Sequence, residues 1–190
     1  MRQCELNIQK GFYYAMRGLA QHFHLSKLVI QNFDMGEGIK GLAEALKTNQ
    51  SITTLVLVKN KIGPEGGEAL GEGLVTNRTL THLNLAGNEL CNSGATGIAS
   101  AITLKSCKIS YLNLDRNSIG NDGAASLGKS LMTNNYLIEL YLKSNHIGAK
   151  GAVGIGQGLA KNTKLQKLYL DANKIGNPAA GAISIGKKIC

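Results

Sequence analysis

Along most of the chain the apolar positions fall into one frame, Leu-x-x-Leu-x-Leu-x-x-Asn-x-Ile-Gly with close variants. It opens at Ile52, Leu80, Ile109, Leu137 and Leu165, so successive copies are 28 residues apart except for one step of 29. A degenerate copy opens at Leu25. Inside each copy the hydrophobic period changes. Thr54-Leu55-Val56-Leu57-Val58 alternates and is β-branched, which predicts a short strand with Leu55 and Leu57 inward and Thr54, Val56 and Val58 outward. Gly63-Pro64 then opens a helix, with Pro64 suited to its first turn, and Leu70 and Leu74 give that helix a buried stripe. Asn77 is expected to end it. Asn92-Ser93 and Asn121-Asp122 are expected to supply capping side chains at the helix starts, and Asn177-Pro178 repeats the start signal.

A period between 20 and 50 residues marks a solenoid. Each unit is a strand, a turn, a helix and a return, so successive strands run parallel. The inward pairs Leu83/Leu85, Leu112/Leu114, Leu140/Leu142 and Leu168/Leu170 stack on Leu55/Leu57, and no unit buries its stripe without a neighbour. The helices are poor by propensity: Gly66, Gly67, Gly71 and Gly73 fall in one, and Gly151, Gly154, Gly156 and Gly158 in another. Each interior glycine costs about 1 kcal/mol against alanine. The columns Ala43, Gly71, Ala99, Gly128, Gly156, Ser184 and Gly67, Ala95, Ala124, Ala152, Ala180 explain this, because small side chains let neighbouring helices approach. Strands stack at about 4.8 Å and helices at about 8–10 Å. The mismatch bends the ribbon into a horseshoe with a concave parallel β-sheet and convex α-helices, an α/β solenoid.

The run from Asn117-Ser118-Ile119-Gly120-Asn121-Asp122-Gly123-Ala124 through Leu127, Leu131 and Asn134 to Leu137 resembles the ribonuclease-inhibitor type of leucine-rich repeat. It is similar to the repeats of NOD-like receptor C-terminal domains. The resemblance spans residues 25–190 and divides them into six repeats, 25–51, 52–79, 80–108, 109–136, 137–164 and 165–190, with 1–24 as a partial repeat or cap. It implies a protein that acts by binding other proteins, as a sensor, inhibitor or scaffold segment. The alternative it implies is a GTPase-activating or other enzyme-regulating protein, with Arg116 as the contact side chain. There are departures: Phe33 stands where the first copy should have asparagine, and Lys105 replaces a helix-ending Asn beside one extra residue.

Composition narrows this further. Hydrophobic residues make up 43% but aromatics only 5%, so the core is aliphatic. No apolar run approaches membrane-spanning length and no secretory signal opens the chain. The formal charge is +9 and uneven. Residues 1–100 carry 9 Lys or Arg against 8 Asp or Glu, whereas residues 101–190 carry 12 against 4. The excess reads either as a solvated surface or as attraction to acidic protein or nucleic acid, and no nucleic-acid-binding motif supports the last. Cys4, Cys91, Cys107 and Cys190 form no metal-ligand spacing, so free thiols, a reducing cytoplasmic compartment and no metal are expected. Cys91 replaces a frame glycine and is expected as a small packed residue. The sequons at Asn49 and Asn77 share a repeat column with Asn134 and Asn162 and read as turn residues instead.

No catalytic or cofactor-binding set is assigned. His82, Tyr111 and Asp115 are the one trio that adjacent strands can bring near each other. Gly154-Ile155-Gly156-Gln157-Gly158 falls inside a repeat helix and not at a strand-to-helix turn, so it is no phosphate loop. The asparagine column Asn60, Asn88, Asn117, Asn145, Asn173 is structural, its amides expected on backbone groups of adjacent turns. Function is expected on the outward strand residues, which carry no stacking duty. The candidate partner-binding set is Tyr111, Asn113, Asp115, Arg116, Glu139, Tyr141, Lys143, His146, Lys167, Tyr169 and Asp171, whose tyrosines and arginine are typical interface anchors. Clustered aromatics near the start and an uncapped final helix also predict self-association through the ends of the solenoid.

Overall fold

The computed structural model describes residues 2–176, and of residues 2–9 the backbone alone. Helices and strands alternate: α1 (Arg2–Gly18), β1 (Lys27–Gln31), α2 (Gly38–Leu46), β2 (Thr54–Val58), α3 (Gly63–Leu74), β3 (His82–Asn84), α4 (Cys91–Ile102), β4 (Tyr111–Asn113), α5 (Asn121–Leu131), β5 (Glu139–Tyr141), α6 (Ala149–Lys161) and β6 (Lys167–Tyr169). The six strands form one parallel sheet in chain order, with β1 and β6 at its edges. Equivalent frame positions pair: Thr54 with His82, Tyr111 with Glu139, and Tyr141 with Tyr169. The chain is an α/β solenoid with its sheet on one face and its helices on the other.

Frame leucines and isoleucines fill the space between the layers. Leu55, Leu57, Leu83, Leu85, Leu112, Leu114, Leu140 and Leu142 are fully buried. They pack on Leu70, Leu74, Ile98, Ile102, Leu127 and Leu131 of the helices. Each such side chain contributes about 1.5–3 kcal/mol of burial. The glycines let the helices close over this core. A methyl group on Gly71 would lie 2.3 Å from the Gly97 carbonyl oxygen, and one on Gly128 would lie 2.2 Å from that of Gly154.

The frame asparagines, buried except for the half-buried Asn173, bridge one repeat to the one before it. Asn117 Nδ2 donates to the Leu85 carbonyl at 2.9 Å, and its Oδ1 accepts from the Asn88 backbone N–H at 3.0 Å. Asn60, Asn88, Asn145 and Asn173 each donate likewise to Ile30, Leu57, Leu114 and Leu142. Phe33 is the exception for a physical reason. Asn60 already accepts its N–H, and β1 is the outermost described strand, so an amide there would have no earlier strand to bond. Phe33 packs instead on Phe12 of α1, ring centroids 5.0 Å apart.

A second asparagine column does more than end helices. Asn49, Asn77 and Asn134 lie past the helix ends and are buried. Asn77 Nδ2 donates to Leu46 and Asn49 of the preceding repeat, while its Oδ1 accepts from Thr79 and Leu80. These residues staple repeats together, and Asn49 and Asn134 also close the last turn of their helices, donating their backbone N–H to Ala45 and Ser130 as the C-cap Asn162 does to Gly158. Both sequon asparagines are therefore enclosed.

Two expectations are corrected. Asn92 and Asn121 do not cap their own helices. Asn92 Oδ1 accepts from Gly120 and Gly123, and Asn121 Oδ1 from Gly148 and Gly151, so each caps the helix of the next repeat. Stacking puts each side chain nearer the neighbouring helix start than its own. Cys91 is half-exposed rather than packed. Its φ of 53° is the left-handed conformation that Gly63 takes at the same frame position, so backbone geometry governs the site. Cys91 and Cys107 are both free thiols. Asn177-Pro178, Cys190 and the final helix lie outside the described residues, as does the Cys4 side chain.

Candidate functional site

Because side chains alternate along a strand, the residues flanking each buried leucine are presented on the open face of the sheet. Stacking then converts sequence columns into rows of neighbours. In the first half of the sheet the row is plain: Thr54, Val56 and Val58 are half-buried, and Val29 is exposed at the edge strand.

From β3 onward an aromatic ridge replaces it. His82 stacks on Tyr111 with centroids 3.9 Å apart and 8° between the planes. Tyr111 tilts against Tyr141 at 5.1 Å, and Tyr141 stacks on Tyr169 at 4.4 Å and 15°. Four rings from four consecutive strands thus form one continuous array. Such pairs add about 0.5–1.5 kcal/mol each beyond burial.

Charged neighbours hold the ridge in place. The Tyr141 hydroxyl donates to Glu139 Oε2 at 2.8 Å, and Lys167 Nζ binds Glu139 Oε1 at 2.7 Å. Lys143 Nζ pairs with Asp171 at 3.1 Å and lies 4.7 Å from the Tyr169 ring centroid. The Lys143 backbone N–H donates to Asp115 Oδ1 at 2.6 Å. Asn113 folds onto its own strand, accepting from the Asp115 N–H at 2.8 Å. Arg116 and His146 are exposed at the rim, and Arg116 takes a left-handed φ of 55°. Neither forms an ion pair among the described residues.

The electrostatics follow from these contacts. The Lys167 ammonium and the Tyr141 hydroxyl hold the Glu139 carboxyl below the usual carboxylate range. Lys143 does the same for Asp171. Burial pushes Asp115 up, against the backbone bond from Lys143. Burial and the Glu139 bond raise the Tyr141 phenol, so its proton stays on. Burial also lowers the His82 imidazole, helped by the Lys27 charge. The charges beside the ridge are paired with one another: Glu139 with Lys167, and Lys143 with Asp171.

The trio His82, Tyr111 and Asp115 does not assemble. His82 and Tyr111 stack face to face, while Asp115 is committed to Lys143. A groove of about 580 Å³ on the helical side, between α3 and α4, is lined by Glu68, Glu72, Ser93 and Thr96 among others, without a histidine or cysteine. No cluster of His, Cys, Asp or Glu suited to a metal ion occurs among the described residues, and no described helix is long and apolar enough to cross a membrane. Sequence reading located the tyrosines by column but missed His82 as a member of their array. The signal was present, since His82 directly precedes Tyr111 in the same column.

Five stretches of the chain, residues 48–71, 76–99, 105–128, 133–156 and 161–184, match the family described as Leucine Rich repeat. A search of the curated proteins found no match. Among solved structures the chain is similar to Leiomodin-1 Actin-Binding Site 2, at 21% identity and a TM-score of 0.54, covering 90% of this chain and 82% of that one. That likeness is one of fold.

Proposed function

We propose that this chain, which belongs to the leucine-rich repeat family, is a protein-recognition module that binds its partner on the concave sheet face. It serves there as a sensor, inhibitor or scaffold segment of the ribonuclease-inhibitor type. One observation carries the reading: the array His82, Tyr111, Tyr141, Tyr169, built on four rigid strands and tethered by Glu139 and Lys143. Packing within the array holds the rings still before a partner arrives, so little side-chain entropy is lost on binding. Tyrosine offers a large apolar body with a polar tip, the chemistry of interface anchors. Asn113, Asp115, Arg116, His146 and Lys167 form the polar rim. A cytoplasmic location goes with this reading, given free thiols at Cys91 and Cys107.

The experiment needs a first partner. The solved structure that this chain resembles is named for an actin-binding site, so monomeric and filamentous actin are the first proteins to test, followed by a panel of small GTPases. The chain is titrated against each, alone and with Tyr141→Ala/Tyr169→Ala. Loss of at least about tenfold in affinity in a folded variant supports the ridge as the site. Unchanged affinity for a partner that binds the chain removes it. The GTPase panel also serves the alternative reading, for which exposed Arg116 is the specific observation. Faster GTP hydrolysis that Arg116→Ala abolishes would favour enzyme regulation.

A further inference from the structure

The basic excess of the second half of the chain is segregated from the concave face. Residues 101–190 hold four carboxylates, Asp115, Asp122, Glu139 and Asp171. Three of them stand on the sheet face described above, and Asp122 opens α5. The opposite edge of the solenoid, where helices end and strands begin, has none between residues 103 and 108, 132 and 138, or 161 and 166.

Lysines gather there instead. Tyr136 and Lys164 hold the same position in successive repeats, since each donates its N–H to the asparagine two residues before it, Asn134 and Asn162. Lys108 is the counterpart one repeat earlier, just before the buried Ile109. It lies 3.9 Å from the Tyr136 ring centroid and donates to its hydroxyl. Lys105 and Lys161 flank this row and are exposed. None of the four lysines forms an ion pair among the described residues. Apolar groups share the edge: Leu104, Tyr136 and Ile138 are exposed at 38%, 37% and 39%. Ile138 interrupts a row in which Thr53, Thr81 and Ser110 each return their hydroxyl to a backbone carbonyl of the preceding repeat.

We infer that this edge, centred on Lys108, Tyr136 and Lys164, is a second docking surface, and that its partner is an acidic protein segment carrying aliphatic side chains among its carboxylates. Charge complementarity supplies the argument: uncompensated ammonium groups at repeat spacing attract carboxylates and raise the rate of encounter. Leu104, Tyr136 and Ile138 then offer contacts that a bare polyanion would leave empty. A phosphate backbone fits less well. The four cations of the row are lysines, and the exposed arginine on this edge, Arg78, stands one repeat before Lys108; it is arginine whose planar fork recognises phosphate in bidentate fashion.

The test uses the full chain and a fluorescein-labelled synthetic peptide of repeated Glu-Glu-Leu. Its controls are a Glu-Glu-Ser peptide, oligodeoxythymidylate and phosphatidylserine-containing vesicles. The leucine peptide is expected to bind, weakening with added salt, and at least about threefold tighter than the serine peptide. Lys108→Glu/Lys164→Glu should weaken it by at least about tenfold, and the milder Lys108→Gln/Lys164→Gln should do so to a smaller extent with the circular dichroism unchanged. Tyr141→Ala/Tyr169→Ala should leave it unaltered, which separates this edge from the concave site. Absence of binding, indifference to the lysine variants, equal binding of the two peptides, or tighter binding of the oligonucleotide or vesicles would overturn the proposal.

Discussion

Tyr141 and Tyr169 lie one above the other on adjacent strands, ring centroids 4.4 Å apart and planes 15° from parallel, and each is tied to an ion pair that bridges the same two strands. Glu139 and Lys167 hold the first; Lys143 and Asp171 hold the second. The pair is therefore stacked by the repeat and fixed by its neighbours. A double-mutant cycle of Tyr141→Ala and Tyr169→Ala in urea unfolding should return a coupling of about 0.5–1.5 kcal/mol. Additive effects would mean that the rings are not in contact in solution.

The buried Asn117 side chain joins its own repeat to the one before: it donates to the Leu85 and Asp115 carbonyls and accepts from the Asn88 and Leu90 N–H groups. Asn117→Ala should cost about 1–3 kcal/mol by leaving buried backbone groups unpaired. Asn117→Asp should not restore stability, because a carboxylate cannot donate to Leu85. Phe33→Asn, the substitution that makes the first copy regular, should destabilise rather than help, since the amide lacks an earlier strand and the Phe12 contact is lost. Chemical denaturation of the three variants decides each.

Glycine-to-alanine changes should have opposite signs at two helical positions. A methyl group added at Gly11 in α1 would meet no atom within 4 Å, so Gly11→Ala should stabilise by about 0.5–1 kcal/mol through helix propensity. Gly71 faces the Gly97 carbonyl, which an added methyl would approach to 2.3 Å, and Gly71→Ala should destabilise by about 1–3 kcal/mol through overpacking. Thermal midpoints moving in the same direction would contradict the helix packing.

Stability should rise with pH across the histidine range because of His82. Its folded imidazole titrates below the ordinary value of about 6.5, through burial and the Lys27 charge. Between those two values the unfolded chain binds more protons, so stability is complete above the unfolded value and is lost as pH falls toward the folded one. Glu139 has the same sign in a lower window, below its ordinary carboxylate value, because Lys167 and Tyr141 favour its charged form. Urea midpoints measured from pH 7 to 5 should fall less in His82→Gln than in the parent chain. An identical slope would show that His82 does not carry the effect.

The fold was legible because its signal is repeated. Leu55 and Leu57 alone are ambiguous, but the same pair recurring at one spacing leaves a parallel stack as the arrangement that buries them all. The columns of the open face could likewise be counted, which placed Tyr111, Tyr141 and Tyr169 on one side of the sheet. Their partners could not be counted. The bond from Tyr141 to Glu139 is local, but the links from Lys167 to Glu139 and from Lys143 to Asp115 span 28 residues and depend on rotamers. The asparagines divide in the same way. Their burial follows from recurrence beside leucines, whereas the direction of bonding, back to the previous repeat at Asn77 and on to the next at Asn92, follows from where stacking places each side chain.

By itself the sequence determined the period, the alternation of strand and helix, the leucines that stay dry and the columns left on the open face of the sheet. All of these are set by local propensity and by the matching of hydrophobic spacing to 2.0 and 3.6 residues per turn. Tertiary structure alone decided which charges cancel, which rings stack and which lysines stand apart from any carboxylate. Those outcomes depend on distances of a few ångströms between residues far apart in sequence, and a one-dimensional pattern fixes which neighbours meet without fixing how their side chains turn.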